Sequence, residues 1–233
     1  MILYHGTSEE HLDAILAHGL KPRGQENKNS NWDHTVKSRK GHVYLTSSYA
    51  FYFSHCAAKA EGGKGVVLEI ELTDEDTAKL YPDEDFIAQA QEHNDKVRGE
   101  SRGNLLARTR RVKLEDFKNS WPLSLQHMGN VSFKGVVPVS RIKRYAIIDT
   151  SARMDLVMGY GDNCVSIVAF SVMKATYQGF LGWLFGDNRH LPLGMGVNLA
   201  QFVEAGGPFA EHAKRIQEQS ADRHGIEVVK VRS

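Results

Sequence analysis

The sequence predicts an α+β fold, and three observations predict it. A strand, turn and helix unit occurs twice before residue 60, a strongly alternating strand follows at Val66 to Leu72, and beyond Asp149 the pattern turns helical.

The first unit opens with Ile2 to His5, a short apolar and aromatic strand. Thr7-Ser8-Glu9-Glu10 then has the form of a capping box, in which a hydroxyl and a carboxylate satisfy reciprocal backbone donors. Leu12, Ile15 and Leu16 fall at helical spacing, and Gly19 followed by Pro22 ends the helix. From Arg23 to Lys40 the chain is polar, rich in Asn, Lys and Ser and without period, which reads as a long loop. Gly41 to Thr46 returns to β-branched and aromatic residues, and Ser47-Ser48 is placed to cap a helix through Ala50, Phe51, Phe53 and Ala57.

In Val66 to Leu72, Leu68, Ile70 and Leu72 share one face, and Glu69 and Glu71 occupy the other as its solvent side. Residues 73 to 120 are charged and weakly periodic. They hold the acidic runs Asp74 to Asp76 and Asp83 to Asp85 and the basic cluster Arg98, Arg102, Arg108, Arg110, Arg111 and Lys113. Val131 to Val137 and Tyr145 to Ile148 are two further strands, with Pro138 in their connection, where its missing amide hydrogen does little harm. Val165, Val168, Ala169, Val172, Thr176 and Gly179 then mark a helix, and Phe209 to His224 marks another, stopped by Gly225. A last strand, Ile226 to Val231, is placed to pair back onto the sheet. Residues 1–150 are thus expected to form the core, and 151–233 a helical C-terminal extension packed on it.

Composition narrows the function classes. The chain has 233 residues, 41% hydrophobic and 24% charged, enough apolar material for a real core. A net charge of +1 gives no global field toward a polyanion, so any nucleic-acid surface has to be local. The two cysteines, Cys56 and Cys164, form neither a CxxC pair nor a metal-ligand spacing, so no disulfide framework or metal site is expected and a reduced, cytoplasmic chain fits. Met1 to His5 lacks the basic and apolar regions of a secretory signal. The apolar stretch Val165 to Phe185 is interrupted by Lys174 and Gln178 and loosened by Gly179 and Gly182. It reads as a buried helix rather than a membrane span of roughly 20 clean apolar residues.

Three segments carry chemistry: Tyr4-His5-Gly6-Thr7, Ile15-x-x-x-Gly19-Leu20, and Val43-Tyr44-Leu45-Thr46 with the helix Ser47 to Ala58 behind it. In order and content they resemble the His-Tyr-Glu class of ADP-ribosyltransferases, the diphtheria-toxin and PARP-like class. The resemblance implies a split, mostly antiparallel sheet with flanking helices, holding NAD as a co-substrate in a central cleft. It implies that His5 hydrogen-bonds the nicotinamide-side ribose, that the Gly6 backbone holds the carboxamide, and that Tyr44 stacks on the nicotinamide ring. Tyr52 or Phe53 closes the other face, and Thr7, Leu20, Leu45, Thr46 and Ala50 complete the pocket. A flat, partly cationic ring is well held between two aromatic faces, each worth about 0.5–2 kcal/mol. No metal is implied.

Val131 to Ile142 looks like the closing strand and proline turn of many family members, and there the chain departs from the pattern. The family's catalytic glutamate is expected near the start of this strand, where Asn130 stands. Asn130 is therefore the candidate catalytic position, read as a natural polar replacement, with an inactivating substitution or a different alignment as alternatives. Gln126 and His127 lie nearby in sequence, and Glu69, Glu71 and Glu115 are carboxylates that can come from elsewhere.

The function this implies is a mono-ADP-ribosyltransferase, a pentosyl-transferring enzyme of the bacterial or phage effector and toxin type. Chains of that type have an antitoxin or immunity protein as a possible partner. Its macromolecular acceptor is expected to be nucleic acid, favoured slightly over protein. The basic cluster with Lys37, Arg39 and Lys40 flanks the pocket, and Trp32 and Trp121 can stack bases. RNA 2′-phosphotransferases share the fold and a His-Gly-Thr opening, but Leu3 in place of a basic residue and the presence of Tyr44 favour the transferase. A non-catalytic NAD or ADP-ribose binding module would tolerate Asn130.

Overall fold

A computed structural model describes residues 1–22, 38–87, 114–149, 170–187 and 225–231, with scattered positions between 204 and 214. Among the described residues the strands are β1 (Ile2–Ser8), β2 (His42–Thr46), β3 (Gly65–Glu71), β4 (Leu80–Pro82), β5 (Asn130–Lys134), β6 (Ile142–Ile148) and β7 (Ile226–Lys230). The helices are α1 (Leu12–His18), α2 (Ala50–Glu61), α3 (Asp74–Thr77), α4 (Trp121–Met128) and α5 (Phe170–Leu184). The strands form one sheet in the order β4-β5-β2-β1-β3-β6-β7, every pairing antiparallel. With helices packed on both faces, this is the expected α+β architecture.

Alternation along the strands creates the two layers. Leu3 on β1, Leu45 on β2, Leu68 and Ile70 on β3 and Phe133 on β5 join Leu12 and Ile15 of α1 in one buried cluster. Val67 of β3 with Ala146 and Ile148 of β6 faces the other way, against Ala50 and Phe51 of α2 and Tyr177, Phe180, Leu181 and Leu184 of α5. The apolar stretch read from sequence as a buried helix thus contributes, through α5, to a core. No helix among the described residues is long and apolar enough to cross a membrane.

The sheet is not uniform. β1 and β3 run together through seven registered pairs, from Ile2↔Glu71 to Ser8↔Gly65, whereas β1 and β2 share one, Tyr4↔Thr46. The sheet is therefore split between β1 and β2, and this seam positions the site.

Several local expectations need correction. The first helical turn is capped by Ser8, whose Oγ accepts the Glu10 N–H at 3.3 Å, while Thr7 remains within β1; the capping residue is displaced by one position because the strand runs on. Before α2, neither Ser47 nor Ser48 caps. The Thr46 hydroxyl accepts the N–H groups of Ser48 and Tyr49, each at 3.0 Å, because the turn folds the chain back over the end of β2. β5 stops at Lys134, and Val137 instead makes an isolated bridge with Leu20.

Glu69 is not a solvent residue. It is 7% exposed and forms a fork with Arg144, Nε to Oε1 at 2.9 Å and Nη2 to Oε2 at 2.7 Å, while Glu71 is exposed and pairs with Lys143. Arg144 also binds Asp187 at 2.6 Å and the Phe185 carbonyl at 3.2 Å, tying the end of α5 to β6. At the far edge β7 pairs with β6, from Arg144↔Lys230 to Ile148↔Ile226, as the sequence had placed it. Val165 to Ala169 and most of Phe209 to His224 lie outside the described residues.

Candidate functional site

His5 and Tyr44 are brought to the seam by the two strands that flank it. Since β1 and β2 exchange only one registered pair, the Tyr44 carbonyl is satisfied by a side chain: His5 Nδ1 lies 2.8 Å from it. The histidine thus joins the two strands where their backbone ladder lapses, and the bond fixes its own ring.

Gly6 follows on β1 under α2. A Cβ at this position would stand 2.0 Å from the Ala50 carbonyl oxygen and 2.5 Å from the Ser54 nitrogen. Glycine is therefore required here for the close approach of α2 to the sheet.

Tyr44 belongs to a polar row crossing the sheet. Tyr81 of β4 is registered with Ser132 of β5, and Ser132 with Tyr44 of β2, so the three share a face. One step along, Asn130 is registered with Thr46, which puts Asn130 on that same face, diagonal to Tyr44. His42, on the other side of Tyr44, meets Ser132 Oγ at 3.1 Å; burial, and then Lys134, lower the pKa of its imidazole from the ordinary histidine value.

The Tyr44 hydroxyl is clamped. It donates to the Glu84 carboxylate, 2.8 Å to Oε1 and 2.7 Å to Oε2, and accepts the Arg39 backbone N–H at 2.7 Å. Glu84 is 1% exposed and lies 3.5 Å from Arg39 Nε. Asp83, also buried, presents its N–H to Ser124 Oγ of α4 at 3.0 Å and accepts the Asp85 N–H at 2.9 Å.

Two adjacent buried carboxylates cannot both ionise cheaply. Burial, and for Glu84 also the neighbouring Asp83, push Glu84 up to about 7, and burial pushes Asp83 up to about 6. Burial and then the Glu84 charge keep the Tyr44 phenol protonated far above its ordinary range.

Asn130 carries a different signature. It is 8% exposed, and among the described residues its buried Oδ1 meets no hydrogen-bond donor. Its backbone is well used, the carbonyl accepting Ser124 Oγ at 2.8 Å, so the orphan is the side-chain acceptor alone. A buried unpaired acceptor costs about 1–3 kcal/mol unless a partner arrives.

The remaining sequence candidates divide. Leu20, Leu45 and Ala50 are core residues, and Thr7 is buried in β1. The Thr46 hydroxyl donates to the Gly129 carbonyl at 2.8 Å and accepts the two N–H groups at the start of α2, so it is fully engaged in the turn. Tyr52 and Phe53 are half-buried on α2 in an edge-to-face pair 5.9 Å apart, and Phe53 is also the residue whose Cβ stands closest to Gly6 after the α2 backbone. Gln126 and His127 are exposed on α4, His127 stacking on Phe86. Glu115 is exposed and pairs with Lys134 and the Tyr81 hydroxyl, away from Tyr44.

Arg98 to Lys113, Trp32 and Lys37 lie outside the described residues, while Trp121 packs against the core at the start of α4. Among the described residues no cluster of His, Cys, Asp or Glu is arranged to hold a metal ion.

Sequence reasoning missed Glu84, Asp83 and Arg39 as partners of Tyr44. The signal lay in the flanks of the acidic run: Leu80-Tyr81-Pro82 precedes Asp83-Glu84-Asp85 and Phe86-Ile87 follows, an apolar frame that a solvated run does not need.

No family model matches the chain, and no curated protein matches it. Among solved structures, EcPltA superposes with a TM-score of 0.34 at 13% identity, over 63% of this chain and 75% of that one. A likeness that distant carries nothing about activity, so a functional reading has to rest on the residues of the seam.

Proposed function

We propose that this chain binds NAD⁺ at the seam between β1 and β2 and transfers its ADP-ribose to a macromolecular acceptor. The observation that carries the reading is the meeting of the two family-like segments at the place where the sheet opens, His5 Nδ1 reaching the Tyr44 carbonyl at 2.8 Å. The resemblance expects these two segments, nearly forty residues apart in sequence, on neighbouring strands, and β1 and β2 are neighbours in the sheet.

The groups present suit the chemistry. Cleavage sends the electron pair of the glycosidic C–N bond to nicotinamide, which departs neutral, and the acceptor nucleophile bonds the ribose carbon and gives up its proton to water. That step needs positioning and stabilisation of developing positive charge rather than a strong acid or base. The Tyr44 ring offers a face to the nicotinamide, and the unpaired Asn130 Oδ1 on the same side of the sheet can accept a ribose hydroxyl. An amide oxygen positions a hydroxyl as a carboxylate does but stabilises a cation less, which sets an expectation of slow turnover.

The amide at Asn130 also favours a second reading, a module that binds NAD⁺ or ADP-ribose without cleaving it. Incubation with labelled NAD⁺ separates the two. Release of nicotinamide, abolished in His5→Ala and Tyr44→Ala with unchanged circular dichroism, is the expected outcome. Binding without release identifies the module, and neither binding nor release removes the NAD⁺ site. The acceptor follows from mass spectrometry of RNA, DNA and protein in the same incubation, where label on nucleic acid is expected.

A further inference from the structure

We infer that Glu84 is a positioning residue of the proposed NAD⁺ pocket: its carboxylate fixes the Tyr44 ring and makes the ring's attraction for a cation depend on whether Glu84 is ionised. The inference rests on the reading of Tyr44 as the residue that meets the nicotinamide.

The geometry is specific. Both Glu84 oxygens lie within 2.8 Å of the Tyr44 hydroxyl, and the Arg39 N–H occupies the same hydroxyl at 2.7 Å, so its donor and an acceptor position are both engaged and the side chain cannot swing away about its Cα–Cβ bond without breaking them. Glu84 is 1% exposed, which keeps water from replacing either contact. A phenol that donates to a carboxylate shifts electron density toward its ring, and attraction of a cation to an aromatic face grows with that density. When Glu84 is neutral, that polarisation is lost.

The charged and titratable groups around the pair come from several elements. Arg39 approaches from the loop before β2, with Nε 3.5 Å from Glu84, while Asp83 and Asp85 flank Glu84 after β4. His5 of β1 holds the Tyr44 carbonyl, His42 of β2 is bonded to Ser132, and His127 of α4 stacks on Phe86. Arg39 is placed against Glu84, and burial with the neighbouring Asp83 brings Glu84 up to about 7. As pH rises through that value Glu84 ionises and affinity for the cationic nicotinamide rises; as pH falls through it the gain disappears. The groups therefore titrate the pocket near neutrality.

Calorimetric titration with NAD⁺ and with NADH across the neutral range tests this. NADH carries the same phosphates and adenosine with an uncharged nicotinamide ring. The expected result is a gain of about 3–10-fold in NAD⁺ affinity as pH rises through about 7, with no matching gain for NADH. Glu84→Gln and Tyr44→Phe are each expected to flatten the NAD⁺ profile. A Glu84→Gln protein with the wild-type profile, or NADH rising in parallel with NAD⁺, overturns the inference; if the variant does not fold, the two ligands on the wild-type chain decide alone. Wild-type NAD⁺ affinity in Tyr44→Ala removes the site itself, whereas weakened binding there with an unchanged Glu84→Gln profile leaves the site and removes only the role of Glu84.

Discussion

The sheet has two halves that meet at one registered pair, and they are built on different principles. On the β1, β3 and β6 side the ladders are long and most of the interior is apolar, with the ionic network Glu69-Arg144-Asp187 at the end of α5 and the buried Asp76 held by Arg141 before β6. On the β2, β5 and β4 side the strands are short, and buried Ser132, Asn130 and His42 within them and Asp83 and Glu84 just after β4 surround the half-buried Tyr44. The first half is stabilised by burial. The second keeps polar groups out of water at a cost that hydrophobic packing alone would avoid. That concentration beside the seam is the feature the proposed NAD⁺ site rests on.

The largest expected effect breaks the apolar half. Gly6→Ala puts a methyl carbon into the α2 backbone, where the Ala50 carbonyl is 2.0 Å away and cannot yield as a side chain would. A loss of about 4 kcal/mol or more is expected, enough to remove most of the stability of a marginal domain. Thermal unfolding measures it, and a shift of only a degree or two would show that α2 can lift from β1.

Next comes the pH response of the polar half. Glu84 and Asp83 are raised in the folded protein relative to an unfolded chain, so the fold binds protons that the unfolded chain releases. Their contribution to stability is present at the acid side of the window, below the ordinary carboxylate range, and is lost as pH rises through about 6 to 7. The loss is on the order of 3 kcal/mol for the pair treated as one titrating unit. Melting temperatures of the wild type and of Asp83→Asn with Glu84→Gln, compared between about pH 5 and about pH 8, isolate it from the other titrating groups. Parallel profiles would mean the two carboxylates titrate as solvated ones do.

A smaller effect is expected at the far side of the scaffold. Arg144→Ala leaves Glu69 buried without its partner and frees the Phe185 carbonyl, but Asp187 is exposed and water can replace part of the network. About 2 kcal/mol is expected, after discounting for that exposure. Proteolysis should cut first after residue 184 in the variant, since the tether holds the end of α5; an unaltered cleavage pattern would show that the apolar face of α5 suffices.

The contrast between the halves also decides what was legible in the sequence. β1, α1 and β3 could be read because their signals are local: alternation in Val66 to Leu72 and helical spacing from Leu12 to Leu16. β4 could not, because three residues carry no period and become a strand only by pairing Leu80, Tyr81 and Pro82 with Phe133, Ser132 and Val131 of β5. α4 could not either, because Trp121 to Met128 follow directly on the charged segment 73 to 120 and make only about two turns, too few for a helical period to stand out. His5 and Tyr44 were visible as motif residues. Glu84 was not, since three carboxylates in a row normally mean solvent, and only the burial of Ile87 and Tyr81 beside them and the Ser124 contact take them inside. The same non-locality misled the reading of Glu69, whose partner Arg144 is 75 residues away.

The smallest effect on stability is expected at Asn130, and that is why it sharpens the comparison most. A polar group placed for the fold has partners in the folded state, as Thr46 and Ser124 do, and its removal strands them. Asn130 Oδ1 has none among the described residues, so Asn130→Ala removes an unpaired acceptor and leaves the Asn130 backbone bond to Ser124 in place. A stability change of about 1 kcal/mol or less is expected, the small cavity and the relieved desolvation opposing each other. If the acceptor is there for a ribose hydroxyl, the same substitution should weaken NAD⁺ binding by about 3–10-fold and slow nicotinamide release, since one neutral hydrogen bond contributes about 0.5–1.5 kcal/mol. Asn130→Glu goes the other way if a carboxylate is what turnover lacks, raising nicotinamide release while lowering the melting temperature, because the new charge is buried next to Thr46. Paired measurements of melting temperature and nicotinamide release on the three proteins distinguish the cases. An Asn130→Ala protein that loses several kcal/mol and keeps its nicotinamide release would place Asn130 with the scaffold, and the polar half of the sheet would then need another occupant for its opening.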